Sequence, residues 1–281
     1  MKVLVTKIAL YLMVAAGLLS CSGANLYKEL SSNKLSDEAL YEDAQKSLDA
    51  GSYSDAITAI LKTSSGFQAQ NRVKESLAGA YAARCGMVFI PFVTKLTGGA
   101  TASFYKLAMS GFVGISTANF ADCKSAEALI EGIGALGARS QSQNLFLLIL
   151  EMAKIGNRLR ADADILPTAL GDGTVDASFN CRTSVPIADA QEVMESFLKF
   201  IALFTQVGST MSGANISAIS NFINDPANAS IVNVTPDYSG GAGAGVDESD
   251  PIIIASRLLI NTTVFGVGSC ASVDTSLCVC P

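Results

Sequence analysis

The side chains that could do chemistry in this chain are few, and thiols lead them. Seven cysteines are present, with no histidine and no tryptophan. Cys21 stands at the end of an apolar stretch, Ile8–Gly17 followed by Leu18, Leu19 and Ser20, behind the cations Lys2 and Lys7. A charged start, a short apolar run and a small residue before a cut site make a secretory signal. The run falls short of the ~20 residues that a comfortable membrane span requires. In an exported chain the other six cysteines, Cys85, Cys123, Cys181, Cys270, Cys278 and Cys280, read as disulfide partners with fifteen possible pairings. Cys278 and Cys280, one residue apart, are poorly placed to pair with each other. The tail is therefore expected to be stapled back onto the body, with Cys181 one candidate. A cysteine metal cluster is the alternative, but the spacings match no zinc pattern.

Absence of histidine removes the commonest general base and the commonest transition-metal ligand. Ser-His-Asp and Cys-His catalysis are excluded with it. Hydrolysis by two carboxylates would need a facing pair in a cleft, and Glu151, Glu192 and Glu195 lie on predicted helices. Their ordinary reading is a charged, solvated helix face. Asp172-Gly173-Thr174-Val175-Asp176, with Asp162 and Asp164 upstream, has the start of a calcium loop but lacks the third ligand and the closing glutamate. A turn whose carboxylates bond nearby backbone amides is expected instead. Gly240–Gly245 carries no phosphate-loop pattern and reads as a surface loop. The chain is expected to be neither an enzyme nor a cofactor or metal binder.

Residues 1–21 resemble the signals of bacterial lipoproteins, with Leu18-Leu19-Ser20-Cys21 in the place of the lipobox. The resemblance implies that the Cys21 thiol receives a diacylglyceryl group. Residues 1–20 are then cut away, and the new amine is acylated. Three acyl chains exceed the two signals that stable anchoring takes. Ser22, a non-aspartate, implies by the same resemblance a lipid anchor in the outer membrane of a Gram-negative cell, expected to face the periplasm.

Composition narrows the partners. The 281 residues carry a formal charge of −6, and the signal segment holds two of the nineteen basic residues. An acidic body argues against nucleic acid, which requires a basic footprint. It also argues against adhesion to anionic lipid, so the acyl groups must supply the membrane affinity. Only 16% of residues are charged. That implies a large interior, or apolar surface facing a partner.

After the cysteine, residues 21–35 form a polar tether. Ser36 is a natural N-cap for a helix Asp37–Ala50, and Gly51 separates it from a second helix, Tyr53–Ser64, ending at Gly66. Leu40, Ala44, Gly51, Tyr53, Ala56 and Ile60 occupy the offsets of a tetratricopeptide repeat. A shift by the repeat period of about 34 residues carries Ala44 to Ala78 and brings Leu77 and Tyr81 onto the next apolar and aromatic positions. Small residues would allow close helix crossing, with Tyr53, Ile60 and Tyr81 filling the adjacent holes. Residues 36–86 thus resemble tetratricopeptide hairpins. With the lipobox, they are similar to periplasmic repeat lipoproteins such as the repeat-containing lipoprotein of the β-barrel assembly complex and the lipidated T-component of TRAP transporters.

Residues 87–281 read as a helical body. Met87–Val93 and Phe104–Ile115 are apolar, but Pro91, Lys95, Lys106 and glycines interrupt them below spanning length, so buried helices are expected. Further helices are predicted at Ser125–Leu136, Asn144–Arg160, Ala188–Val207, Asn215–Ile223 and Pro251–Phe265, with loops at 161–187 and 224–251. Phe197, Phe200, Ile201 and Phe204 form one stripe, read as core in preference to a ligand cavity. Met87–Val93 is the better candidate for a groove wall. The fold expected is all-α: antiparallel helical hairpins, a tetratricopeptide-like solenoid start merging into an irregular bundle. Two binding functions remain open, with a carboxylate-dependent envelope hydrolase as the last alternative. One is a scaffold whose concave helical face holds a protein partner. The other is a pocket for a small apolar solute, which is what the T-component resemblance implies.

Overall fold

The computed structural model describes residues 35–87, 112–114, 119–208, 213–235 and 247–262. Cys21, the lipobox, nearly all of the tether, Val88–Val93, Gly240–Gly245 and the tail cysteines lie outside them. The protein is all-α, with no strand among the described residues. No helix among them is long and apolar enough to cross a membrane.

The first helix, α1 (Asp37–Asp49), begins where local chemistry places it. The Ser36 hydroxyl accepts from the Ala39 amide, and Asp37 and Glu38 sit against the positive helix start. It ends in a Schellman turn: the Ser52 amide donates to the Ser47 carbonyl and the Gly51 amide to Leu48. Gly51 adopts φ +73°, which a residue with a Cβ resists, and nothing else crowds it. The second helix, α2 (Tyr53–Leu61), stops earlier than expected. Ser64 caps a separate short helix, α3 (Ser65–Gln68), through the Phe67 amide, and so brings Phe67 into the core. The Asp37 carboxylate accepts from the Ser64 amide and hydroxyl, tying the start of α1 to this bend.

Helix α4 (Asn71–Arg84) is small-residue-rich and buries two faces. Val73, Leu77 and Ala80 join Ala44, Ala56, Ile57, Ile60 and Phe67 in an N-terminal apolar cluster. Ala78, Ala82 and Cys85 join the larger core that holds the rest of the body. A disulfide from Cys85 to Cys123 then fixes α4 to α5 (Phe120–Glu131). Helix α5 starts earlier and ends earlier than the predicted Ser125–Leu136. Phe120 and Cys123 continue the buried stripe of Ala126 and Ile130 upstream past Lys124, and Gly132 caps the end.

The longest helix, α6 (Gln141–Ala163), opens on a capping box between Ser140 and Gln143 and runs three residues into the predicted 161–187 loop. Helix α7 (Ile187–Val207) lies antiparallel along it. Helices α8 (Ala214–Asn224), α9 (Ala229–Val232) and α10 (Pro251–Ile260) follow. The expected 224–251 loop therefore contains α9 and a 3-10 turn at Pro226–Asn228, and α10 ends at Ile260 rather than Phe265. Along most of the chain each helix packs on the next: α1 on α2, α2 on α4, α4 on α5, α5 on α6, α6 on α7, α7 on α10. Met87 and Phe112, on either side of residues 88–111, are both buried.

Candidate functional site

Helices α5, α6 and α7 meet across a seam of charge. On α6, Glu151, Lys154, Arg158 and Asp162 follow at helical spacing along one face. On α7, Asp189, Glu192, Ser196 and Lys199 do the same. On α5 the row is Lys124, Glu127 and Glu131. Lys154 stands at the centre, its Nζ 2.6 Å from Glu127 Oε2 and 2.8 Å from Glu151 Oε2. Lys199 donates to the other oxygen of Glu127 and reaches Glu131 Oε1 at 3.0 Å. Farther along, Arg158 Nε meets Glu192 Oε2 at 2.7 Å and Lys124 holds the other Glu192 oxygen at 2.9 Å. Arg158 also lies 3.7 Å over the Phe120 ring and 3.5 Å from Asp189.

The middle of the seam is dry. Glu151 is 1% exposed and Glu127 and Lys154 are each 6% exposed. The expectation of a solvated face for Glu151 is thus corrected: α6 is buried nearly all round here, so it has no solvent side to offer. Burial would raise the Glu127 carboxyl, but Lys154 and Lys199 outweigh it and hold the group below its ordinary range. Burial pushes the Glu151 carboxyl up to about 7; Lys154 opposes this, and the Glu127 charge adds to it. Glu151 and Glu127 more than offset the effect of burial on Lys154, which stays above the usual ammonium range. Toward the end of α6, burial and the neighbouring Asp189 push the half-buried Asp162 carboxyl up to about 7 against three arginines. Glu151 Oε1, Ser196 Oγ and Asp162 Oδ2 are buried without a hydrogen-bond partner.

Sequence reasoning named Glu151, Glu192 and Glu195 as candidate acids. The fold gives each a partner: Lys154, then Lys124 with Arg158, then Gln191. It missed Glu127, Lys154 and Lys199. The signal available was a row of charges on a helix with no polar face left over.

The acidic loop after α6 turns its carboxylates onto backbone. Asp164, fully buried, accepts from the amides of Asp172 and Gly173 at 2.9 Å each. Asp176 accepts from Ile165 and Leu166, and Asp172 from Thr174. Gly171 is required there: at φ +76° a Cβ would sit 2.4 Å from Asp164 Oδ2. Among the described residues no group of three or more His, Cys, Asp or Glu side chains could hold a metal.

One cleft of about 610 Å³ opens between the end of α7 and α8. Phe204, Ile216 and Ile223 give it an apolar wall, and Thr205, Ser217, Ser220, Asn221 and Asn224 give it hydroxyls and amides. None of its lining groups carries a charge. The aromatic stripe of α7 divides in two. Phe197 and Phe200 are fully buried, stacked 6.5 Å apart, with Phe222 edge-on to Phe197 at 6.2 Å, whereas Phe204 reaches the cleft.

Of the repeat positions, Ala44, Ala56, Ile60, Leu77 and Ala78 are buried, while Leu40, Tyr53 and Tyr81 are half-buried. Phe67 and Ile57 fill the space beside the alanines, and Arg72 stacks over Tyr41 and Phe67 at 5.0 Å. Cys181 is disulfide-bonded as well. No protein-family model matches the chain, and neither a curated protein nor a solved structure is significantly similar to it.

Proposed function

We propose that this is a lipid-anchored protein of the bacterial outer membrane whose helical body works as a non-catalytic binding or scaffolding module for a protein partner in the envelope. The observation that carries the reading is Leu18-Leu19-Ser20-Cys21, closing an apolar run behind two lysines. The Cys85–Cys123 disulfide, closing a span of 38 residues, supports export into an oxidising compartment. Helices stacked on their sequence neighbours, with small alanines at the α1, α2 and α4 crossings, support a tetratricopeptide-like start. Such arrays present a continuous concave face to an extended partner. Each carboxylate that sequence reasoning offered to a hydrolase is already bound to a cation or an amide, which favours binding over catalysis.

The uncharged cleft between α7 and α8 favours a second reading, retention of a small apolar solute whose few polar atoms meet Ser217, Ser220 or Asn221. The first test is the mass of the mature N-terminus from a Gram-negative host. Three acyl groups on Cys21 are expected, and Cys21→Ala should leave residues 1–20 uncut and keep the protein out of the outer-membrane fraction. An unmodified Cys21 overturns the localisation. Native mass spectrometry of the detergent-extracted protein, beside in-envelope crosslinking, then separates the two readings. A small molecule that wild type retains and Ser217→Trp does not identifies the solute reading. A crosslinked protein unaffected by that change identifies the scaffold.

A further inference from the structure

We propose that Glu151 is carried in the fold as a neutral acid, and that its proton is a switch on the packing of α5, α6 and α7. Two cations, Lys154 and Lys199, serve three carboxylates, Glu127, Glu131 and Glu151. Glu131 is on the solvent side, 42% exposed, and water can screen its charge. Glu127 receives both ammonium groups. Glu151 is left with one partner, through Oε2, and a buried Oε1 that nothing reaches. An ionised carboxylate with a bare oxygen in a dry interface is strongly disfavoured, and taking a proton removes most of that penalty.

The groups that face Glu151 are Glu127 from α5, Lys199 from α7 and Lys154 from its own helix. The balance of burial and the Glu127 charge against the two lysines places the carboxyl at about 7. The folded state therefore binds this proton more tightly than an unfolded chain with its ordinary value of 4.5. Stability from this group is full at pH below about 4.5, falls as pH rises toward 7, and stays reduced above it. Lys199 lies on α7 five residues before Phe204, which lines the cleft.

The test is Glu151→Gln in the full chain, melted across pH 5 to 9 beside wild type. Glutamine keeps the shape and an oxygen for Lys154 while holding the neutral form permanently. At pH 5 the two midpoints should lie close together, and at pH 8.5 the variant should melt about 5 °C higher. Amide exchange in 141–163 and 187–207, corrected for intrinsic rates, should accelerate above pH 7 in wild type alone. Asp162→Asn, in both backgrounds, removes the slope owed to that second raised carboxyl and leaves the Glu151 difference standing. Parallel melting curves, a variant less stable at pH 8.5, or one that fails to fold at any pH would each overturn the proposal.

Discussion

In the N-terminal hairpins, Ala44, Ala56, Ile57, Ile60 and Val73 meet with no ionised group among them, whereas α5, α6 and α7 meet across Glu127, Glu151 and Lys154. Both regions join neighbouring helices, and both exclude water. In the hairpins the closeness of approach decides the packing, so small residues at the crossings matter most, and charges such as Arg72 with Glu38 stay at the rim where they contribute little. In the seam the approach is set by polar pairs, and each ion is tolerated only because its neighbour is present. Trimming an apolar side chain opens a local cavity. Removing a counter-ion strands a bare charge in the interface, which is worse.

The sharpest way to break this contrast is Lys154→Met, which leaves Glu127 to Lys199 alone and takes from Glu151 its one hydrogen-bond partner in the interface. Chemical denaturation should show a loss of about 3–5 kcal/mol. Adding Glu127→Gln and Glu151→Gln to that variant should recover a large part of it, because the uncompensated charge is then gone. Next in size is the covalent joint between the two regions. Replacing both Cys85 and Cys123 by alanine should cost about 2–4 kcal/mol, and wild type with reductant should lose at least as much, because the bond at Cys181 opens too. Within the hairpins, Ala44→Leu should cost about 1–3 kcal/mol by overpacking the crossing, with faster amide exchange confined to α1–α3. The smallest effect is expected at the turn: Gly51→Ala forces a Cβ into positive φ and should lower stability by about 1 kcal/mol, read as a shift in the same denaturation midpoint.

The hairpins were the more legible region. Ser36 caps α1 through a bond three residues away, and Gly51 turns the chain within its own neighbourhood, so adjacent residues suffice to place them. The helix ends that differed from expectation did so where a distant core overrode local cues. Phe67 is drawn inside, so α2 ends at Leu61 and the chain bends before Ser64 caps α3. Phe120 and Cys123 are buried, so α5 extends upstream past its own charges. The seam was the least legible. Glu127 and Lys199 are 72 residues apart and Glu127 and Lys154 are 27 apart, and spacing along one helix does not say which charge on another will face it. Glu151 looked solvated because a charged residue on a helix usually is. What reversed that was the company α6 keeps on all sides.

Taken alone, the order of residues determined the helical periods, the caps, the glycine turn and the cationic-apolar-cysteine start, because each arises from interactions within a few residues. Tertiary structure alone decided which cysteine joins Cys85, which ions share Lys154, and that an acidic side chain on α6 must live without water. Those outcomes depend on which helix faces come together, and burial belongs to the assembled interface rather than to any one segment of chain.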